Sequence, residues 1–99
     1  MAIGVLLDMP GMTREQYDEV CRGLNNGRPL TALAQWPEGG VLFHVAGPTP
    51  GGGGWRVVDV WESEEAFQRF GQKLVPLLQK AGLSPVTPEV FPAYNVVTQ

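Results

Sequence analysis

The residues best suited to chemistry are one histidine and one aspartate, each in a strand-like segment. His44 lies in the apolar run 41–46, and Asp59 lies in the run 55–61. Histidine changes its protonation state near neutral pH, and a neighbouring carboxylate can orient its ring as a general base. A buried polar pair that satisfies its own hydrogen bonds would use the same two residue types. The pair is therefore a candidate catalytic site, with a purely structural pair as the alternative.

Large apolar side chains near this pair are candidate walls of a binding site. Trp55 and Trp61 flank Asp59, Leu42 precedes His44, and Tyr94 lies in the last extended segment. Aromatic side chains stack on aromatic ligands, but they also fill cores and dimer interfaces. Both roles remain open for Trp55, Trp61 and Tyr94, and Leu42 is a further candidate binding residue. Trp36, in a long loop, could belong to a lid, although packing beneath that loop is the favoured interpretation.

The sequence predicts neither a metal site nor a cofactor. His44 is the single histidine, and Cys21 is the single cysteine, on the predicted buried face of a helix. A metal site needs several nitrogen, sulfur or carboxylate ligands together, and a buried thiol is usually packing. The glycine run 51–54 could cradle a phosphate only if a helix followed it, and a strand follows instead. We therefore expect a cofactor-free protein.

Composition limits the possible partners. The chain has 99 residues, 43% of them apolar and 17% charged, with a net charge of −3. This predicts a single globular domain over residues 1–99. Without a cluster of Lys and Arg, neither nucleic acid nor an anionic membrane is an expected partner. The apolar run 2–7 is too short for a signal peptide or a membrane span, and a lone cysteine suits a reducing compartment, so we expect a cytoplasmic protein.

Six elements follow from periodicity and capping. Residues 2–8, 41–46 and 55–61 read as strands, with a last, irregular strand over 90–97 that Pro92 interrupts. Thr13 and Gln16 have capping-box spacing before a helix that ends near residues 25–27. Ser63 caps a second helix, in which Pro76 predicts a kink or a division into two short helices. The order βαββαβ predicts a ferredoxin-like α+β fold, with an antiparallel four-stranded sheet and both helices on one face.

Alternation within the strands predicts which side chains the helices cover. Because a carboxylate beneath the helices would be costly, Asp59 and Trp61 are expected on the open face and Val58 and Val60 under the helices. The matching hairpin register places His44 across from Asp59, so His44 is also expected on the open face. The residues expected beneath the helices are then Ile3, Val5, Leu7, Phe43, Val45, Val58 and Val60. Those expected on the open face are Gly4, Leu6, Leu42, His44, Val57, Asp59 and Trp61, with Leu42 opposite Trp61.

An open face of this composition is too apolar to remain in water. Soluble monomers seldom expose a continuous patch of tryptophan, leucine and valine. A second copy of the same sheet would cover it, and two-fold homodimers are the commonest oligomers. We therefore expect a homodimer that buries more than roughly 1,500 Å² in total.

The central part of the chain resembles a known superfamily. The run from Leu42 to Pro48, followed by the run from Gly54 to Phe67 that contains the strand-to-helix step VWESEEAF, is similar to the dimeric α+β barrel superfamily. The likeness is strongest to its antibiotic biosynthesis monooxygenase-like branch. It covers most of the chain as a pattern and is specific over residues 41–70. It implies a homodimer with one cavity per subunit, in a superfamily that includes cofactor-free oxygenases, haem-degrading enzymes, isomerases and cyclases.

Two functional hypotheses follow. In the first, a small apolar or aromatic molecule binds in a cavity on the open sheet face of a cytoplasmic homodimer. His44 would then be the base and Asp59 its orienting partner, in a cofactor-free monooxygenase, cyclase or isomerase, with Trp55, Trp61, Tyr94 and Leu42 as walls. In the second, the dimer has no catalytic activity, and its cavity is filled by its own side chains. A fold shared by so many activities does not choose between them.

Overall fold

The computed structural model describes residues 1–84 and 86–98, and the predicted element order is confirmed. Strand β1 spans Ile3–Pro10, helix α1 Arg14–Leu24, strand β2 Val41–Pro48, strand β3 Gly54–Trp61, helix α2 Glu64–Lys80 and strand β4 Glu89–Pro92. A short 3₁₀ helix, Leu33–Gln35, lies in the long connection between α1 and β2. The strands form one antiparallel sheet in the order β2-β3-β1-β4. This is the ferredoxin-like α+β fold.

Helix α1 begins with the predicted capping box. The Thr13 hydroxyl accepts from the backbone N–H of Gln16 at 3.2 Å, and the Gln16 side chain accepts from the backbone N–H of Thr13 at 2.9 Å. These two bonds satisfy donors that the first turn of a helix leaves free. The helix ends at Leu24, and the backbone then turns through Asn26 and Gly27, both with positive φ. Both ends of helix α1 were therefore predictable from the sequence.

Helix α2 is one helix, so the predicted division into two short helices is wrong. Ser63 accepts from the backbone N–H of Ala66 at 3.1 Å, as expected of its cap. Pro76 lies within the helix near its C-terminal end, and both Pro76 and Gln72 are exposed. The Gln72 carbonyl, which loses its helical donor to the proline, can therefore bond to water. Exposure explains why the helix continues through this position.

The β2–β3 hairpin has the predicted register over most of its length. Phe43 lies opposite Val60, His44 opposite Asp59, and Val45 opposite Val58. The predicted pair of Leu42 with Trp61 is wrong, because an irregularity between Val41 and Phe43 places Val41 opposite Trp61. A bulge inserts one extra residue into a strand and shifts the pairing beyond it. At the other end, Gly51, Gly52 and Gly53 all have positive φ, which glycine adopts readily, and they close the hairpin.

The predicted faces of β2 and β3 are reversed, whereas that of β1 is confirmed. Val5 is 1% exposed and lies beside Asp59, so Ile3, Val5 and Leu7 point toward the helices together with Val57, Asp59 and Trp61. His44 also faces the helices, where it meets Tyr17 of α1. The prediction failed because it treated burial of Asp59 as prohibitive. In the structure two N–H groups contact that carboxylate, and such bonds offset the cost of burial.

The core lies between the helices and this face of the sheet. It contains Ile3, Val5, Leu7, Met9, Met12, Val20, Val57, Trp61, Ala66, Phe70 and Leu78. Trp61 is fully buried and packs its ring against Phe67 and Phe70 of α2 at 6.0 and 5.0 Å. Trp61 is thus a core residue rather than one of the open face.

The opposite face of the sheet remains apolar, with different residues from those predicted. Phe43, Val45 and Phe91 are 42%, 49% and 54% exposed, and Leu6, Val58 and Val60 are half-buried between them. We call these six residues the open face. Strand β4 is shorter than the predicted 90–97, and Val97 beyond it is exposed. Within residues 1–84 and 86–98, no helix has the length and apolar character needed to span a membrane.

Candidate functional site

His44 and Asp59 form a direct hydrogen bond beneath the helices. The register places them side by side on β2 and β3, and His44 Nδ1 lies 2.6 Å from Asp59 Oδ1. The Asp59 side chain is 2% exposed and that of His44 is 17% exposed. The predicted pair therefore exists, on the opposite side of the sheet from the one expected. It lies in an environment that excludes most water.

A second donor contacts the other oxygen of the Asp59 carboxyl group. The indole Nε1–H of Trp61 donates to Asp59 Oδ2 at 3.2 Å. An ionised carboxylate can only accept, so the Nδ1 of His44 must carry the proton in their 2.6 Å contact. In a neutral imidazole the other nitrogen, Nε2, is then an acceptor. Asp59 thus selects the histidine tautomer in which Nε2 is the hydrogen-bond acceptor.

Tyr17 of α1 completes the polar chain. Its hydroxyl oxygen lies 2.7 Å from His44 Nε2, and with that nitrogen as acceptor the tyrosine donates. Burial, reinforced by Cys21 and Asp59, raises the pKa of Tyr17 far above its usual range. The hydroxyl therefore remains protonated at any physiological pH. Four residues from three elements form one ordered relay: Tyr17, His44, Asp59 and Trp61.

A small cavity adjoins this relay. It has a volume of about 40 Å³ and lies between the sheet and the helices, bounded by Tyr17, His44 and Asp59 and otherwise by apolar side chains. The apolar lining includes Leu7, Met9, Met12, Val20, Leu24, Leu30, Trp36, Val57, Phe70, Leu74 and Leu78. Since one water needs a cavity of at least about 10–15 Å³, this space holds few solvent molecules. The cavity that reaches His44 is thus on the helix side, which corrects the predicted location on the open face.

An open groove lies next to the cavity. It has a volume of about 370 Å³ and is bounded by residues 30–33 together with Trp36, Phe43 and His44. Leu30, Trp36 and His44 border both the groove and the inner cavity. The Trp36 ring meets the His44 ring edge-on at 4.9 Å. Trp36 therefore packs beneath its loop, as expected, and forms part of the wall between the two spaces.

The four predicted wall residues do not come together at the cavity. Trp55 is nearest, because its ring lies 5.4 Å from that of Tyr17, and its buried indole nitrogen has no hydrogen-bond partner among the described residues. Trp61 contacts Asp59 from within the core. Leu42 is 40% exposed at the strand irregularity, and Tyr94 is fully exposed beyond β4. Of these four residues, Trp61 belongs to the relay and Trp55 contacts it.

Tyr17 is a functional candidate that the sequence did not indicate. Its spacing from Val20, Cys21 and Leu24 shows only the helical periodicity of α1. A signal for the correct face was present in the charges: Arg56 donates to Asp8 at 2.7 Å across β3 and β1, on the face opposite the core. With Arg56 outward, alternation turns Val57 and Asp59 inward toward α1. The buried Cys21 on the same helix, whose thiol pKa is raised by burial, is a core residue as expected.

Comparison with known proteins supports the fold. No family model matches the sequence, and no curated protein sequence matches it significantly. Among solved structures, SnoaB, a cofactor-independent oxygenase from Streptomyces nogalater, is 16% identical with a TM-score of 0.61, and the match covers 99% of this chain and 97% of that one. A Chloroflexus aurantiacus protein provisionally named an antibiotic biosynthesis monooxygenase is 10% identical with a TM-score of 0.64, over 99% of this chain and 98% of that one.

A third solved structure is similar over nearly the whole chain. A dimeric ferredoxin-like protein from an uncultured marine organism is 12% identical with a TM-score of 0.54, and the match covers 98% of this chain and 92% of that one. At such low identities the similarity concerns the fold. The similarity of fold extends over nearly the whole chain. This protein has the ferredoxin-like α+β fold of the antibiotic biosynthesis monooxygenase-like proteins.

Proposed function

We propose that this protein binds a small, mostly apolar or aromatic molecule beside His44 and removes a proton from a hydroxyl group of that molecule. The observation that carries the proposal is the relay itself. A histidine whose Nδ1–H is held by a buried carboxylate, and whose Nε2 accepts, is prepared to act as a general base. The apolar lining of the adjoining cavity matches a ligand of this class.

The proton path follows from the donor directions. A ligand hydroxyl would donate to the Tyr17 oxygen while Tyr17 passes its own proton to His44 Nε2, 2.7 Å away. Tyr17 returns to its protonated form in the same step, so its raised pKa is no obstacle. The product is an imidazolium that faces the Asp59 carboxylate at 2.6 Å, where the opposite charge stabilises it. His44 and Asp59 keep their predicted roles, and Tyr17 joins them.

The fold suggests which reactions could follow deprotonation. SnoaB is a cofactor-independent oxygenase of the same fold. An electron-rich anion formed from an aromatic hydroxyl can react with dioxygen directly, so a monooxygenase reaction would require no cofactor. Cyclisation and isomerisation can also begin with loss of a proton. We therefore propose a cofactor-free monooxygenase, cyclase or isomerase, acting in the cytoplasm.

We also propose that the functional form is a homodimer joined through the open face. Phe43, Val45 and Phe91 each expose about half of their surface, on the side of the sheet that the helices leave uncovered. Burial of apolar area at roughly 25 cal/mol per Å² favours association of two such faces. A dimeric ferredoxin-like protein of similar fold supports a dimer as such. The cavity lies on the other side of the sheet, so each subunit would keep its own site.

One observation favours the alternative of a non-catalytic dimer. The inner cavity of about 40 Å³ is far below the roughly 300–1,000 Å³ typical of small-molecule sites. The Trp36 ring, which contacts His44, takes up part of the space next to it. If this arrangement is permanent, the relay is a structural network and the cavity is filled by its own side chains.

Binding of α-naphthol distinguishes the two functions. This probe combines an aromatic body with an acidic hydroxyl, and naphthalene is the matched control without the hydroxyl. In an NMR titration, α-naphthol should shift the His44 ring signals and the amides of Tyr17 and Asp59, more strongly than naphthalene does. Shifts confined to Phe43 and Val45 would place binding on the open face. Absence of any binding would favour the alternative of a non-catalytic dimer.

A turnover assay with naphthohydroquinone tests the base. Its oxidation transfers two electrons and two protons to dioxygen and yields naphthoquinone and hydrogen peroxide. Wild-type protein should accelerate oxygen uptake, and His44→Phe and Tyr17→Phe should abolish or strongly reduce the acceleration. Equal rates in the wild-type protein and both variants would contradict proton transfer by the relay.

A further inference from the structure

A short segment next to the site is held mainly by its own hydrogen bonds. We call residues 30–36 the flap. The Gln35 side chain accepts from the backbone N–H groups of Thr31 and Ala32 at 2.7 and 3.1 Å, and the backbone of the 3₁₀ helix supplies two further internal bonds. Within residues 1–84 and 86–98, every hydrogen bond of the flap stays inside it. Its internal shape can therefore persist while the flap changes position.

The flap is anchored at both ends. At its start, Asn25 donates to the Pro29 carbonyl at 2.9 Å. Beyond its end, Lys73 of α2 donates to the Pro37 carbonyl at 2.7 Å. The carboxylate of Glu38, the next residue, forms ion pairs with Arg69 Nε at 3.1 Å and with Lys73 Nζ at 3.2 Å. We call the contacts of Pro37 and Glu38 with α2 the clasp. The flap lies between these two fixed points.

Two side chains of the flap reach inward. Residues 31–35 are all exposed, whereas Leu30 and Trp36 are half-buried and border both the inner cavity and the outer groove. The inner cavity is too small for an aromatic ligand, and the groove of about 370 Å³ lies within the usual range for one. Withdrawal of the Trp36 indole would join the two spaces at His44. An aromatic ring would then find the place that the indole leaves.

We propose that the flap is a lid and that Trp36 is its plug. A ligand enters from the outer groove, displaces the indole and puts a flat aromatic ring of about the same size against His44. This inference rests on the proposed function, because it assumes that His44 meets a ligand. It adds the route of entry, the size class of the ligand and a second state of residues 30–36. The clasp sets how readily that second state forms.

The rate of α-naphthol association tests the plug. In stopped-flow fluorescence, Trp36→Ala should raise the association rate constant at least tenfold, because the barrier of displacing the indole is gone. Val75→Ala removes an exposed apolar side chain from α2, away from both the groove and the inner cavity, and should leave the rate unchanged. Equal rates in Trp36→Ala and wild type would overturn the lid while α-naphthol binding itself still supports the proposed function. Absence of binding to both proteins would contradict the proposed function instead.

Hydrogen exchange tests the lid without any ligand. Glu38→Gln weakens the clasp and should increase exchange of the Gln35 and Trp36 amides several-fold, while the amides of β2 and β3 stay protected. Glu19→Gln, at an exposed acidic residue of α1, is the control and should change neither region. Unchanged exchange in the flap of Glu38→Gln, or an equal increase across the whole sheet, would overturn a separate movement of this segment.

Discussion

His44 on β2 and Asp59 on β3 face each other across the hairpin, with Nδ1 and Oδ1 2.6 Å apart and beneath both helices. A carboxylate that is 2% exposed, in a core otherwise built from apolar side chains, normally carries a large desolvation cost. Here its oxygens contact His44 and Trp61, and His44 in turn meets Tyr17. The hydrogen bonds that offset the cost of burying Asp59 also orient His44 as a proton acceptor.

The Trp61–Asp59 hydrogen bond should be measurable as a coupling free energy. Trp61→Phe keeps an aromatic ring in the core but removes the indole N–H, which leaves Asp59 Oδ2 without that donor. Loss of a partner to a buried polar group costs about 1–3 kcal/mol, in addition to the lost ring volume. Urea unfolding of Trp61→Phe, Asp59→Asn and the double variant isolates the pair. Strict additivity of the two changes would show that the bond contributes nothing.

The buried Tyr17 hydroxyl should make stability fall in alkaline solution. Because burial raises the pKa of Tyr17 above its usual value of about 10, its hydroxyl should ionise only when the protein unfolds. The unfolded chain loses this proton first, so stability declines as pH rises above about 10. Urea unfolding at neutral and at alkaline pH should show a larger loss of stability for wild type than for Tyr17→Phe. An equal loss in the two proteins would contradict the buried relay.

A charge placed on the open face should prevent dimer formation. Val45 is 49% exposed on the edge strand β2 of this face, and in the proposed dimer an aspartate there would be buried at the interface. Sedimentation at micromolar concentration should show a dimer for wild type and a folded monomer for Val45→Asp. Val75→Asp, at a residue of α2 that is 39% exposed, is the matched control and should remain dimeric. A monomeric wild-type protein would refute the dimer.

The clasp should weaken in acid. Hydrogen bonds from Lys73 and Arg69 hold the pKa of Glu38 below its ordinary value. Such a carboxyl group stabilises the folded state above the unfolded pKa of about 4.3, and this stabilisation is lost as pH falls through the lowered pKa. Glu38→Gln should therefore be less stable than wild type at neutral pH, and the difference in melting temperature should disappear in acid. A difference that is independent of pH would point to packing rather than to charge.

Much of the fold was predictable because local signals agreed with one another. The capping box at Thr13 and Gln16, the cap at Ser63 and the pairing of His44 with Asp59 are all present as expected. These features depend on hydrogen bonds between residues close in sequence, or across one short hairpin. The extent of β4 was less predictable, because pairing with β1 decides where a strand near a proline ends.

The site itself was predictable only in part. The sequence identified His44 and Asp59 as partners, since strand register depends on alternation that is visible in the chain. Their face was predicted wrongly, because each of the two alternating sets of β3 side chains contains apolar residues and one charge. The charge of Asp59 seemed the more costly to bury, and only the structure shows Arg56 paired outward with Asp8. The Tyr17 hydroxyl also approaches His44 only when α1 packs on that face.

The sequence by itself determined the order of the elements, the helix caps, the hairpin register and the pairing of the histidine with the aspartate. Only the tertiary structure decided that this pair lies beneath the helices, that Tyr17 extends it and that Trp36 covers it. The physical reason is the range of the interactions. Caps and register depend on neighbours a few residues apart or across one turn, whereas the cost of burying Asp59 depends on donors that different elements bring together.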